Sequence, residues 1–194
     1  CEWSNTDSEQ WRKVSNRMST LGIENIQHTG GTSAMTLNSN GTMTPSQMVY
    51  ATFRTADHVT YDSTQDPITN WEVMPSPHTT LGAAMSHSSG IFTFPHTGKF
   101  LIQAQFQCQA SGGNRTYAGG SIQYSSDSGG SYSKLTRSLT GIWTDGGWAT
   151  SFCQALIEIT NVSTQRIRFN SYVQNNTSLY TGDNGTQCTF QQVG

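Results

Sequence analysis

The stretch GIFTFPHTGKFLIQAQF, residues 90–106, constrains the fold more than any other part of this chain. Two arms flank Pro95 and Gly98, and in them Phe92, Phe94, Phe100, Ile102, Ala104 and Phe106 recur at every second position. That is the period of a strand with one buried face. The other face of the second arm carries Gln103 and Gln105, followed by Gln107 and Gln109. A water-facing strand ordinarily carries charge, which opposes edge pairing and aggregation. An uncharged amide face therefore predicts contact with another protein surface, the alternative being glutamines that coat a solvated sheet.

The rest of the chain extends this β reading. Strands are predicted over 48–54, near Ile68 to Val73, near 81–85, over 117–124, 132–139, 150–160, 165–173 and 187–193, with turn signals between them such as SSDSGG at 125–130. About ten strands with frequent turns argue a two-sheet antiparallel sandwich. The strand over 150–160 has Ser151, Cys153, Ala155, Ile157 and Ile159 on one face, and Phe152, Gln154, Leu156 and Glu158 on the other. Both of its faces need cover.

Residues 1–46 read differently. TDSE at 6–9 matches a capping box, and Trp11, Val14, Met18 and Leu21 follow at helical spacing, which predicts a short helix ending before Gly22. Residues 27–44 alternate small polar residues with Ala34, Met35, Leu37 and Met43 and carry two turn signals, Gly30-Gly31 and Asn40-Gly41. These predict a hairpin or a narrow intertwined stem. The expected division is thus 1–46, helix and stem, and 47–194, a β domain. The chain begins with Cys1 and shows no charged-then-apolar leader, so a longer parent polypeptide is expected.

Charge narrows the partners. Only 11% of residues are charged and the formal net charge is −2, which supplies no basic field for nucleic acid or an anionic membrane. No apolar run approaches the roughly 20 residues of a membrane-spanning helix. No nucleic-acid partner and no membrane insertion are expected.

Three passages resemble known proteins. HTGGTSAMTLNSNG (28–41) is similar to the short repeats that link knobs and shafts of bacteriophage tail and head fibres. GIFTFPHTGKFLIQAQF resembles the segment of complement C-one-q and tumour-necrosis-factor jelly rolls in which a G-x-F-x-x-P-x-x-G-x-Y-x-F pattern enters the central strand. SLYTGDNGTQCTFQQV (178–193) is similar to that family's closing loop and last strand, although it ends Phe190, Gln191, Gln192, Val193 where the family places aromatics and leucines. The resemblance implies an all-β, two-sheet antiparallel jelly roll assembled as a homotrimer through the sheet that holds the first, central and last strands. Carried onto this sequence, the implied interface is Tyr50, Phe53, Gln103, Gln105, Gln107, Phe152, Gln154, Leu156 and Phe190. Amides there pair without the desolvation penalty of buried charge.

Chemistry is sparse. No motif pairs two carboxylates for glycoside hydrolysis, and no G-x-S-x-G, H-E-x-x-H or Walker sequence occurs, so an enzyme is not expected. His58, His78, His87 and His96 lack metal-ligand spacing. No cofactor is expected; Asp127 and Asp183, in oxygen-rich turns, are the candidates for calcium, as in some members of the resembled family, although an Asp in a turn usually bonds its own backbone. Cys108 and Cys153 project to core faces of strands that the family sets side by side, so a bridge is geometrically open, with buried free thiols the preferred state. Aromatic residues in loops, Tyr117, Trp143, Trp148 and Tyr180, are the candidate recognition groups, since Trp and Tyr concentrate at binding hot spots.

These expectations converge on a virion structural protein: the C-terminal trimeric knob of a bacteriophage tail or head fibre, joined to other virion proteins on its N-terminal side and recognising a host surface glycan or protein. The alternative is a secreted complement- or tumour-necrosis-factor-like ligand or adhesin, with Asn161-Val-Ser and Asn175-Asn-Thr as glycosylation sequons. Residues 1–46 lack the Gly-X-Y repeat of a collagen stalk.

Overall fold

Alternating apolar residues organise the longer core strands of the computed structural model, which describes residues 25–27, 33–37, 39–45, 48–56, 66–78, 80–110, 113–174, 177–179 and 185–193. The helix expected over 6–21 lies outside these residues. Two compact units divide the chain, Cys1–Ser46 and Gln47–Gly194.

In the first unit, strands β1 (Asn25–Gln27), β2 (Ser33–Leu37) and β3 (Met43–Pro45) form an antiparallel sheet in chain order. The Asn-Gly signal makes the β2–β3 turn: Gly41 takes the left-handed φ of 80°, and the Thr42 amide donates to Asn40 Oδ1 at 3.1 Å. This turn sets the register Leu37 opposite Met43.

The second unit holds β4 (Val49–Thr55), β5 (Trp71–Val73), β6 (Leu81–Gly82), β7 (Ser86–Ser88), β8 (Ile91–Thr93), β9 (Gly98–Ala110), β10 (Arg115–Ser125), β11 (Ser133–Ile142), β12 (Trp148–Ile159), β13 (Arg166–Val173), β14 (Thr177–Leu179) and β15 (Gln187–Gln192). They build two antiparallel sheets. The front sheet runs β12-β9-β15-β4-β5, with β14 beside β9 and β6 beside β4, and the back sheet runs β11-β10-β13-β8-β7. This is the two-sheet jelly roll that the alternation and the resemblance predict.

The two arms of residues 90–106 fall in opposite sheets. β8 pairs with β13, Phe92 opposite Ile167, whereas β9 lies between β12 and β15. The chain crosses the sandwich between Thr93 and Gly98, so the six apolar positions face one core from both sides. Gly90 permits the entry turn: its φ is 78°, and a Cβ there would lie 2.1 Å from the Ile68 carbonyl oxygen. The β9 face of Phe100, Ile102, Ala104, Phe106, Cys108 and Ala110 is fully buried. An aromatic cluster closes the core at one end, where the Phe92 ring centroid lies 5.1 Å from Phe53, 5.4 Å from Phe169 and 5.0 Å from Phe190. The pairs with Phe53 and Phe169 are edge-to-face, and pairs of this kind add about 0.5–1.5 kcal/mol each beyond area burial.

Cys108, Cys153 and Cys188 are buried free thiols. Cys108 stands opposite Ala149 and Cys153 opposite Ala104, so their rows are separated by four residues along β9, roughly 13 Å and far beyond disulfide reach. Burial pushes the Cys108 thiol up to about 12 and the Cys153 thiol up to about 11, which keeps both protonated.

Candidate functional site

Pairing of β12, β9, β15 and β4 aligns their outward side chains into rows across the front sheet. One row is Leu156, Leu101, Gln191 and Tyr50; the next is Gln154, Gln103, Thr189 and Thr52; the next is Phe152, Gln105, Gln187 and Arg54; the last is Thr150 and Gln107. Neighbours bond along the rows. Gln103 Nε2 donates to Gln154 Oε1 at 3.4 Å, and the Thr52 and Thr189 hydroxyls lie 3.2 Å apart. Charge is confined to the ends of the face: Arg54 Nε meets Glu72 Oε1 at 2.6 Å, and Glu158 stands opposite Lys99.

Between those ends the face is uncharged and partly apolar. Leu156 is 65% exposed, Phe152 53% and Tyr50 38%. Single exposed apolar residues are ordinary, but a contiguous patch on one sheet marks an interaction surface. Of the nine residues expected at the interface, Tyr50, Gln103, Gln105, Gln107, Phe152, Gln154 and Leu156 share this face. Phe53 and Phe190 do not, and their assignment is corrected. They are 2% and 0% exposed, and their rings meet inside the sandwich at 6.1 Å. Phe53 is three positions from Tyr50 on one strand, and an odd separation puts it on the opposite face. Leu101, Thr189 and Gln191 occupy the outer face instead; the same two-residue period, counted from Gln103 and outward from Phe190, was the signal that locates them.

Three of the candidate recognition aromatics, Tyr117, Trp143 and Trp148, are described; they are exposed and none belongs to the core. Trp143 is 70% exposed, and its indole lies across Gly141, where a Cβ would meet the ring at 3.1 Å. Tyr117 sits in the β10 bulge between Arg115 and Ala118, near Trp143 because Arg115 pairs with Ile142. Trp148 begins β12 opposite Gln109, so it belongs to the front sheet and not to a loop. The intervening turn is held by the Gly113 amide donating to Asp145 Oδ1 at 3.2 Å, by the Gly146 amide donating to the Ala110 carbonyl and by the Ala110 amide donating to the Gly147 carbonyl, both at 3.0 Å. Tyr180 lies outside the described residues.

The Asp127 carboxylate is engaged by its own turn. Oδ1 accepts from Ser125 Oγ at 2.6 Å and the Ser131 amide at 2.9 Å, and Oδ2 accepts from Ser131 Oγ at 2.6 Å. These bonds hold the carboxyl well below the usual carboxylate range. An Asx-type turn thus accounts for the residue, and Asp183 lies outside the described residues. The half-buried His87 packs against both Phe53 and Phe92, its ring centroid 5.7 and 5.1 Å from theirs. Among the described residues no group of three or more His, Cys, Asp or Glu side chains is gathered as a metal site would need.

No protein-family profile matches this sequence, and a comparison with curated proteins finds no relative. Solved structures do resemble it. Murine APRIL at pH 5.0 superposes with a TM-score of 0.56 at 11% identity, over 76% of this chain and 100% of that one. Eiger TNF from S. frugiperda gives 0.56 at 14% identity, over 76% and 93%. At such identities the likeness is one of fold, and the fold of this chain is the tumour-necrosis-factor-like jelly roll.

Proposed function

We propose that this chain is a homotrimeric knob that acts by binding, not catalysis, and that its subunits associate through the outer face of the front sheet. The observation that carries the reading is the uncharged face of Leu156, Phe152, Tyr50 and interleaved amides on four adjacent strands. Burial against two copies would cover the apolar groups and let the amides pair, the arrangement that the sequence resemblance implies. Trp143 and Tyr117 then supply aromatic contacts for a host surface glycan or protein, while Trp148 shares the face that joins the subunits.

The knob is placed on the outside of a virion, at the tip of a tail or head fibre. The hairpin of small uncharged residues between Ser33 and Pro45 supports this placement, since it precedes the β domain as fibre repeats do. A second reading, an extracellular ligand or adhesin, is favoured by the fold likeness to murine APRIL and Eiger TNF. Mass in solution by light scattering tests the assembly. Three times the chain mass of 21.2 kDa is expected, and a monomer at micromolar concentration overturns the trimer.

A further inference from the structure

The outward face of the back sheet carries a cluster of cations that neither the assembly nor the loop aromatics use. Four of the seven Lys and Arg residues after position 46 lie on β11 and β13: Lys134, Arg137, Arg166 and Arg168. Register aligns Arg137 with Ser121 and Asn170, and Lys134 with Gln123 and Arg168. Tyr172 joins them: Lys134 Nζ lies 5.0 Å and the Arg137 guanidinium carbon 5.6 Å from its ring centroid. Arg168 stacks at 3.8 Å on Tyr132 and is neutralised by Asp66 at 2.7 Å. Among the described residues neither Lys134 nor Arg137 forms an ion pair. Two cations are thus held in place by one aromatic ring and left without a counter-charge.

We propose that this face binds an acidic polysaccharide, with Lys134 and Arg137 gripping its carboxylate or sulfate groups. Charge complementarity selects a polyanion, and the neighbouring side chains select its class. Register sets Ser133, Thr136, Ser138 and Thr140 on the other side of β11, opposite Tyr124, Ile122, Gly120 and Ala118, so exposed apolar side chains and not these hydroxyls border the cations. Leu135 and Leu139 are exposed beside them and suit the C–H faces of sugar rings. Nucleic acid fits poorly, because the Tyr172 and Tyr132 rings are occupied by cations and leave no platform for bases. The site is a property of one protomer and does not depend on the trimer.

The test uses the full chain above neutral pH, where its net charge is negative and bulk attraction to a polyanion is absent. Binding is measured to dextran sulfate, polygalacturonate, neutral dextran and polyglutamate. Binding to one or both acidic polysaccharides, weakened by salt and reduced about tenfold or more in Lys134→Gln/Arg137→Gln, supports the site and tells which anion it takes. The variant should keep the wild-type melting temperature, and Lys99→Gln, a cation on the front sheet, should bind as wild type. Unchanged binding by the double variant, no binding to either acidic polysaccharide, or equal binding to neutral dextran overturns the proposal. Polyglutamate bound as tightly as polygalacturonate also overturns it, pointing to an acidic protein.

Discussion

If the proposed trimer forms, replacing Phe152 and Leu156 together with glutamine should dissociate it without unfolding the protomer. Both side chains face away from the core, at 53% and 65% exposure. A phenylalanine presents about 200 Å², so covering the exposed half of Phe152 contributes about 2.5 kcal/mol at roughly 25 cal/mol per Å². The exposed share of Leu156 adds about 1.5 kcal/mol. In the proposed trimer the pair would supply about 4 kcal/mol per protomer and about 12 kcal/mol per trimer, an upper limit because association also orders side chains. That is roughly nine orders of magnitude in the trimer dissociation constant. Since this constant scales with concentration squared, the midpoint of dissociation moves by about four orders. A trimer that holds at nanomolar concentration should become a monomer near ten micromolar. Light scattering reads the mass, and circular dichroism confirms an unchanged sheet signal. A variant that keeps the wild-type mass across that range would refute the argument that this face joins the subunits.

Two further predictions concern the core. Partial burial against Phe53 and Phe92 lowers the His87 imidazole below its usual 6.5, so the fold favours the neutral ring. The stability this contributes is complete above about pH 6.5 and is lost as pH falls below it; the melting temperature should decline between about pH 7 and pH 5, and His87→Leu should flatten that decline. Gly120→Ala would set a Cβ 2.3–2.5 Å from three atoms of the buried Phe106 ring. Urea unfolding should show a loss of about 1–3 kcal/mol, partly restored by adding Phe106→Leu, and an undiminished midpoint would contradict the packing described.

The faces of strands were legible in the sequence where alternation was long. Phe100 to Phe106 gave the buried side of β9, and Ser151 to Ile159 against Phe152 to Glu158 gave both sides of β12, because the two-residue period fixes direction without tertiary knowledge. Partners were less legible. Nothing in Ile91 to Thr93 distinguishes a neighbour in the front sheet from one in the back, since its pairing with Ile167 and Arg168 is set by residues some seventy-five positions away. Phe53 and Phe190 were misplaced because residue type was weighed over parity: an aromatic suits a core and an interface equally, and only its odd spacing from Tyr50, or its step from Gln191, separates the two. The cation cluster on the back sheet was invisible because Lys134 and Arg137 meet Tyr172 only after β11, β10 and β13 align.

The place of β15 governs the order in which the molecule can be completed. It lies between β9 and β4, with Phe190 opposite Ile102 on one side and Ala51 on the other. During synthesis β4 emerges early and must wait for a strand made well over a hundred residues later, while β9 waits beside it with one side unpaired. Such non-local closure is slow, and an unpaired strand edge is a template for aggregation. Synthesis of β15, not the local folding of any hairpin, should therefore be the step that completes this sheet. A chaperone that shields the open edges of β4 and β9 until β15 is made should raise its yield.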